Sequence, residues 1–253
     1  MSIISIQNLK KSFINNGRTV EVFNNVNLEI ERGEFLVIFG PNGCGKTTLL
    51  NIISKLENKD SREITNRDKL KTSFVFQNYR EALFPWQKVV DNIAFPLKLK
   101  GVLKNERNAK VESLVSSLGI KLDLQTYPYE LSGGQQQMVA ILRALITQPD
   151  ILLLGEPFSS LDYKTTLLME EKILEIWKQL QLTIIFVTHE IDEAVLLSNR
   201  IAIMSEKPSK IVKVLDNNLS YPRHWSMVGS TEFANLKRMA LDTFMNYSGS
   251  KNL

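Results

Sequence analysis

The sequence predicts an α/β fold carrying a helical insertion, on three observations. Short apolar or alternating runs of strand length recur along the chain and are separated by stretches of helical periodicity, the pattern of a sheet covered by helices. One of these runs, residues 35–39, passes through a glycine-rich turn directly into a helix. Between roughly residues 81 and 148 the strand-like runs become sparse and helical spacing takes over.

Taken in order, strands are expected at residues 3–9, 26–30, 35–39, 73–76, 151–154, 183–187, 201–204 and 211–215. Residues 46–56 read as a helix, because Leu49, Leu50, Ile53 and Leu56 share one face. The polar stretch 57–71 reads as a solvated excursion between that helix and the next strand. Within the insertion, Val111, Leu114, Val115 and Leu118 line a helix ended by Gly119, and a second helix is entered at Ser132 and runs toward Gln148. Over residues 164–180, Met169, Ile173, Ile176, Trp177 and Leu180 mark a core-facing stripe. The expected organisation is a single domain over 1–253, with a helical subdomain at roughly 81–148 and a short C-terminal extension at roughly 216–253.

Bulk composition removes several classes of function. With 43% hydrophobic and 23% charged residues, the chain is neither disordered nor fibrous. Lys and Arg number 31 against 27 Asp and Glu, a net charge of +4 without a long basic run, so no nucleic acid partner is expected. The single cysteine, Cys44, excludes an internal disulfide and agrees with a reducing compartment. The longest apolar stretches fall far short of the roughly 20 residues that a spanning helix needs. The N-terminus alternates apolar and polar residues and lacks the pattern of a signal peptide, so the protein is expected in the cytoplasm.

Chemistry concentrates at two glycine-rich turns. Gly40-Pro41-Asn42-Gly43-Cys44-Gly45-Lys46-Thr47 satisfies G-x-x-x-x-G-K-[ST] and lies between a buried-type strand and a helix. Its glycines let successive backbone N–H groups face a phosphate, and the helix N-terminus adds partial positive charge. Lys46 would neutralise the β- and γ-phosphates, and the Thr47 hydroxyl would ligate Mg²⁺; Thr48 follows in the same turn, and Cys44 occupies a variable position. The second turn, Leu131-Ser132-Gly133-Gly134-Gln135, opens another helix. There Ser132 can act as N-cap while the Gly133 and Gly134 amides stay free to approach a γ-phosphate.

With both turns in one chain, the sequence closely resembles the ABC ATPases over nearly its whole length. That resemblance implies a P-loop NTPase of the ABC-ATPase fold, with a RecA-like core, an antiparallel β subdomain and a helical subdomain, using ATP and Mg²⁺. It implies that Gln77 is the glutamine that contacts Mg²⁺ and the attacking water, that Glu156 is the general base, and that His189 contacts the γ-phosphate. It further implies that Asp162 of Ser160-Leu161-Asp162 faces the opposite subunit, that Ser132, Gly133, Gly134 and Gln135 meet the other subunit's nucleotide, and that Phe13 stacks on adenine. The family carries aspartate immediately before the catalytic glutamate, and here that position is Gly155. Loss of that carboxylate predicts weaker Mg²⁺ binding and slower hydrolysis. Met138, where relatives often carry arginine, and the short 57–71 segment are milder departures.

Outside the nucleotide motifs, Leu83-Phe84-Pro85-Trp86, Val90-Asp91-Asn92-Ile93-Ala94-Phe95, residues 188–194 and Tyr221-Pro222-Arg223 are similar to importer ATPases of the nitrate/sulfonate/taurine group. Membership of that group implies an ATP-binding and hydrolysing subunit energising import of a small solute. Its expected partners are a second ATP-binding subunit, identical or not, transmembrane permease subunits and an external solute-binding protein. Its expected place is the cytoplasmic face of the cell membrane, with residues 84–92 near the groove that receives a short permease helix. Two alternatives are a nucleotide-binding subunit with hydrolysis impaired by Gly155, and a non-transport ABC ATPase. The latter kind generally carries two cassettes or long coiled-coil insertions, and neither is present here.

Overall fold

The computed structural model describes residues 2–15, 17–58, 64–65 and 69–247. The chain runs through β1 (Ser2–Asn15), β2 (Arg18–Glu31), β3 (Phe35–Phe39), α1 (Lys46–Ile53), β4 (Ile64–Thr65) and β5 (Thr72–Val75). It continues through α2 (Tyr79–Ala82), α3 (Val89–Leu99), α4 (Lys104–Ser117), α5 (Gly133–Leu145), β6 (Ile151–Gly155) and α6 (Tyr163–Leu180). Last come β7 (Thr183–Thr188), α7 (Ile191–Leu197), β8 (Arg200–Met204), β9 (Ile211–Asp216) and α8 (Thr231–Tyr247). These elements fall into two compact units, Met1–Leu70 with Trp177–Leu253, and Lys71–Ile176.

In the first unit, β1 and β2 form a long antiparallel hairpin, and β4 adds to the free edge of β1. The expected strands 3–9 and 26–30 are only parts of this hairpin. Beyond them the pairing runs on to Asn15 and Arg18 through mixed polar and apolar residues, of which Val22 and Phe23 are buried. Register shifts interrupt the pairing between Ile6 and Leu9, where Asn8 adopts φ 51°, the left-handed conformation that asparagine tolerates at a bulge. A second sheet in this unit has the order β7-β3-β8-β9, parallel except for the last strand. Every residue of β3 and β7 is buried, which is why these strands read as unbroken apolar runs. Helix α1 ends at Ile53, earlier than its apolar spacing predicts; Lys55 takes φ 69°, and Leu56 is 62% exposed beyond the end. Helix α8 buries Phe233 and Ala240, and the Phe244 ring meets Phe39 edge-on at 5.2 Å.

In the second unit β5 and β6 pair in parallel, and helices α2 to α5 lie between them in sequence. Val111, Val115 and Leu118 are buried as their spacing predicts, and Gly119, at φ 61°, follows the end of α4. Helix α3 carries Pro96 in its last turn, at the cost of the bond from that position to the Asn92 carbonyl. Asn92, fully buried, accepts from the Phe84 amide (2.8 Å) and donates to the carbonyls of Phe84 (3.0 Å) and Gln87 (3.0 Å), fastening the 84–88 loop to α3. Of the excursion expected at 57–71, residues 59–63 and 66–68 lie outside the described residues, and Ile64–Thr65 pairs with β1. Among the described residues no helix is long and apolar enough to cross a membrane.

Candidate functional site

Strand β3 delivers the chain into the loop Gly40–Gly45 and then into α1. Gly40 packs tightly: a Cβ there would lie 3.0 Å from the Met204 Cβ and 3.1 Å from its carbonyl oxygen, so Met204 would have to give way by a few tenths of an ångström. Gly45 is constrained twice: its φ is 109°, and an added Cβ would come within 2.7 Å of the Phe23 ring and of Val22. Between them Gly43 takes φ 77°. Cys44 is buried, and burial pushes its thiol pKa up; its carbonyl accepts from the Ser209 hydroxyl (2.5 Å), tying the loop to the segment before β9. Lys46, 4% exposed, arches back to donate to the Gly40 (3.0 Å) and Pro41 (3.1 Å) carbonyls. A buried ammonium held on neutral carbonyls across a loop of amides is prepared for an anion. Asn42 and Thr47 are exposed, and Pro41 and Thr48 half-exposed, around this mouth.

His189 leaves the same end of the sheet. Phe39 pairs with Thr188 across the parallel β3–β7 ladder, so the phosphate loop and His189 emerge from neighbouring strand ends. The Thr188 hydroxyl donates to the Glu193 carboxylate (2.5 Å) and accepts from the Glu190 amide (2.9 Å), which locks the turn that carries His189 into α7. The His189 Nε2 lies 3.5 Å from a Glu190 carboxylate oxygen, with the ring 36% exposed. Phe13, in β1, is 37% exposed, and the Lys11 ammonium stands 4.7 Å over its ring.

The second unit holds the remaining residues. Val75 pairs with Leu154, which sets Gln77 and Glu156 just beyond the ends of adjacent strands. Glu156 adopts φ 48°, an uncommon conformation for this residue type and one that clusters at functional turns. The Ser159 hydroxyl donates to the Glu156 carbonyl (3.0 Å) and accepts from the Gln77 amide (3.4 Å), so one serine links both. Gln77, Asn78, Arg80, Ser159 and Ser160 line a polar hollow of about 530 Å³. Gly155, buried, closes β6 without a side chain to offer.

At α5 the Ser132 hydroxyl accepts from the Gln135 amide (3.3 Å) while the Gln135 side chain accepts from the Ser132 amide (2.9 Å), a reciprocal capping box. The Asp162 carboxylate begins α6 in the same way, accepting from the Thr165 amide (3.0 Å) and hydroxyl (2.6 Å); these bonds hold its pKa below the usual carboxylate range. The two turns touch, because a Cβ on Gly134 would fall 2.5 Å from the Thr165 methyl. Residues 132–135 and Asp162 are therefore brought together, as are Gln77 and Glu156, and as are the phosphate loop and the His189 turn. Ser159 and Arg143 do not stand out in the sequence, while Asn92 lies within the importer-like stretch 90–95 but its fastening role shows only in the structure. Arg143 donates to the Ala82 carbonyl (2.7 Å) and, with Phe74, Phe76, Phe84 and Phe95, lines a groove of about 430 Å³. Trp86 stands beside Phe84 and is 72% exposed.

A family model described as ABC transporter matches residues 23–159. The chain is 44% identical over 248 residues, 95% of its own length and 95% of the relative's, to the aliphatic sulfonates import ATP-binding protein SsuB of Bacillus cereus. It is similar to the dimeric structure of MJ0796, a bacterial ABC transporter cassette, with TM-score 0.72 and 30% identity over 86% of this chain and 100% of that one. The same cassette in a post-hydrolysis state bound to ADP and Pi matches with TM-score 0.72 and 29% identity, again over 86% and 100% of the two chains.

Proposed function

The chain belongs to the ABC transporter family, and from that membership we propose that it binds and hydrolyses ATP as the motor subunit of an importer for a small sulfonate. The observation that carries this is the presence of two anion-competent helix N-termini in one chain, at α1 behind Lys46 and at α5 behind Ser132. A phosphate loop alone serves any NTPase. The second terminus suits a pair of subunits in which each ATP lies between the loop of one and residues 132–135 of the other.

In this proposal Lys46 exchanges its two loop carbonyls for β- and γ-phosphate oxygens, and Phe13 stacks on the adenine. Glu156 takes a proton from the water whose oxygen attacks the γ-phosphorus, and the bond to the bridging oxygen breaks to release ADP. His189 donates to the γ-phosphate. The exposed Thr47 hydroxyl and the Gln77 amide are neutral oxygen donors of the kind Mg²⁺ accepts, and phosphate oxygens would complete the set. Mg²⁺, when bound, neutralises phosphate charge. Gly155 supports a second reading, a subunit that holds ATP well and turns it over slowly.

The partners follow from the groove beside Arg143. Its aromatic walls suit an apolar helix of a permease, and Phe76 immediately precedes Gln77, so a contact there would be felt at the hydrolytic site. The peripheral position at the inner membrane face and an external solute-binding protein belong to the same proposal. The test is uptake. Vesicles containing the permease, its binding protein and ATP should accumulate a short alkanesulfonate with the parent chain and not with Glu156→Gln. Accumulation of an unrelated amine in its place would overturn the substrate class, and failure to associate with any permease would overturn transport.

A further inference from the structure

Helix α7 begins two residues after His189, and its far end is finished by the C-terminal segment. A helix leaves its last four carbonyls without intrahelical donors. Here the Ala194 carbonyl accepts from the Ser198 hydroxyl (2.6 Å), and Val195 from the Asn217 amide side chain (2.6 Å). Leu196 accepts from the Arg223 guanidinium (3.1 Å), and Leu197 from the Tyr221 hydroxyl (3.5 Å). Arg223 is 5% exposed and also donates to the carbonyls of Ser198 (2.6 Å), Asn217 (3.3 Å) and Leu219 (2.9 Å), while its guanidinium lies 4.0 Å over the Tyr221 ring. A buried cation surrounded by carbonyl oxygens at a helix C-terminus is held by the helix dipole as well as by its hydrogen bonds.

The near end of α7 is held from the same direction. Lys237 of α8 reaches Asp192, in the first turn of α7, at 2.7 Å. The adjoining Glu193 is the residue that receives the Thr188 hydroxyl, directly before His189. Both ends of the short helix behind His189 are thus tied to residues 217–237.

We propose that residues 217–237 are a positioning clamp for His189: by capping α7 at one end and pairing with Asp192 at the other, the C-terminal segment sets the imidazole's place. Its effect on turnover rests on the role given to His189 above. Lys237 and Asp192 are positioning residues, since neither would touch the nucleotide.

The chain has two histidines, His189 and His224, so histidine-labelled protein gives two imidazole signals, and His224→Gln assigns them. In the ATP-free full chain, Lys237→Gln should displace the His189 signal and Lys237→Arg should return it. Lys237→Gln should also lower kcat by about two- to fivefold, the leverage of a partly exposed ion pair, with KM for ATP unchanged. In a His189→Ala background it should lower kcat no further. A His189 signal unmoved by Lys237→Gln overturns the clamp, whatever turnover does. Unchanged turnover in His189→Ala would instead overturn the catalytic role of His189, leaving the displaced signal as support for the clamp.

Discussion

Gly134→Ala is the most informative single change, because its cost can be worked from one contact and undone by a second change. An added Cβ at 134 lies 2.5 Å from the Thr165 methyl, short of ordinary van der Waals contact by about an ångström. Both groups sit on helices pinned by capping bonds, so relief requires moving α5 against α6 at a cost of about 1–3 kcal/mol. Thr165→Ser deletes the methyl while keeping the hydroxyl that donates to Asp162. The double variant should recover nearly all the loss. Thermal unfolding of the parent, both single variants and the double variant should give a coupling of about 2 kcal/mol, or about 4–8 °C for a chain of this size. Effects that add to within about 0.5 kcal/mol would show that the two turns do not press on one another, and the account of Gly134 would be wrong.

Gln137 is fully buried in α5, and neither atom of its amide has a hydrogen-bond partner among the described residues. Each orphan costs about 1–3 kcal/mol, so Gln137→Met, similar in length and apolar, should raise the melting temperature by several degrees; an equal or lower value would contradict this. Asp162 has a depressed pKa in the folded chain, so its contribution is present above the ordinary carboxylate pKa and is lost as pH falls through the folded value. Thr165→Val, which removes the hydroxyl bond, should raise the Asp162 pKa in a carboxyl NMR titration, and an unmoved midpoint would rule out the hydroxyl as its main cause. Phe13→Ala should weaken ATP binding by about two- to tenfold, the value of one ring stack, with kcat retained. Unchanged affinity would remove Phe13 from the site.

The nucleotide motifs were legible because they are local. A phosphate loop needs its glycines and lysine within one turn, and a capping box spans four residues, so sequence spacing alone places them. The buried strands β3, β6 and β7 were legible for a related reason: strands covered on both faces have no polar alternation to confuse them. What sequence could not show was set by distant partners. The half of the β1–β2 hairpin nearest its turn, where polar and apolar residues mix, pairs because its opposite strand is there, and Leu56 fits a helical face that the chain leaves at Ile53. The role of Arg223 lies in carbonyls more than twenty residues earlier, so nothing in Tyr221-Pro222-Arg223 announces it. Ser159 likewise becomes informative only when β5 and β6 bring Gln77 beside it.

Whether Glu156 drives ATP hydrolysis with Gly155 beside it is decided by the steady-state ATPase activity of the purified chain with Mg²⁺, measured beside Glu156→Gln and Gly155→Asp. Turnover should be measurable in the parent, absent in Glu156→Gln, and in Gly155→Asp faster and reached at lower Mg²⁺, as a restored carboxylate near the metal requires. A parent no more active than Glu156→Gln, beside an active Gly155→Asp, would contradict this and make the chain a nucleotide-binding subunit whose chemistry is supplied by its partner.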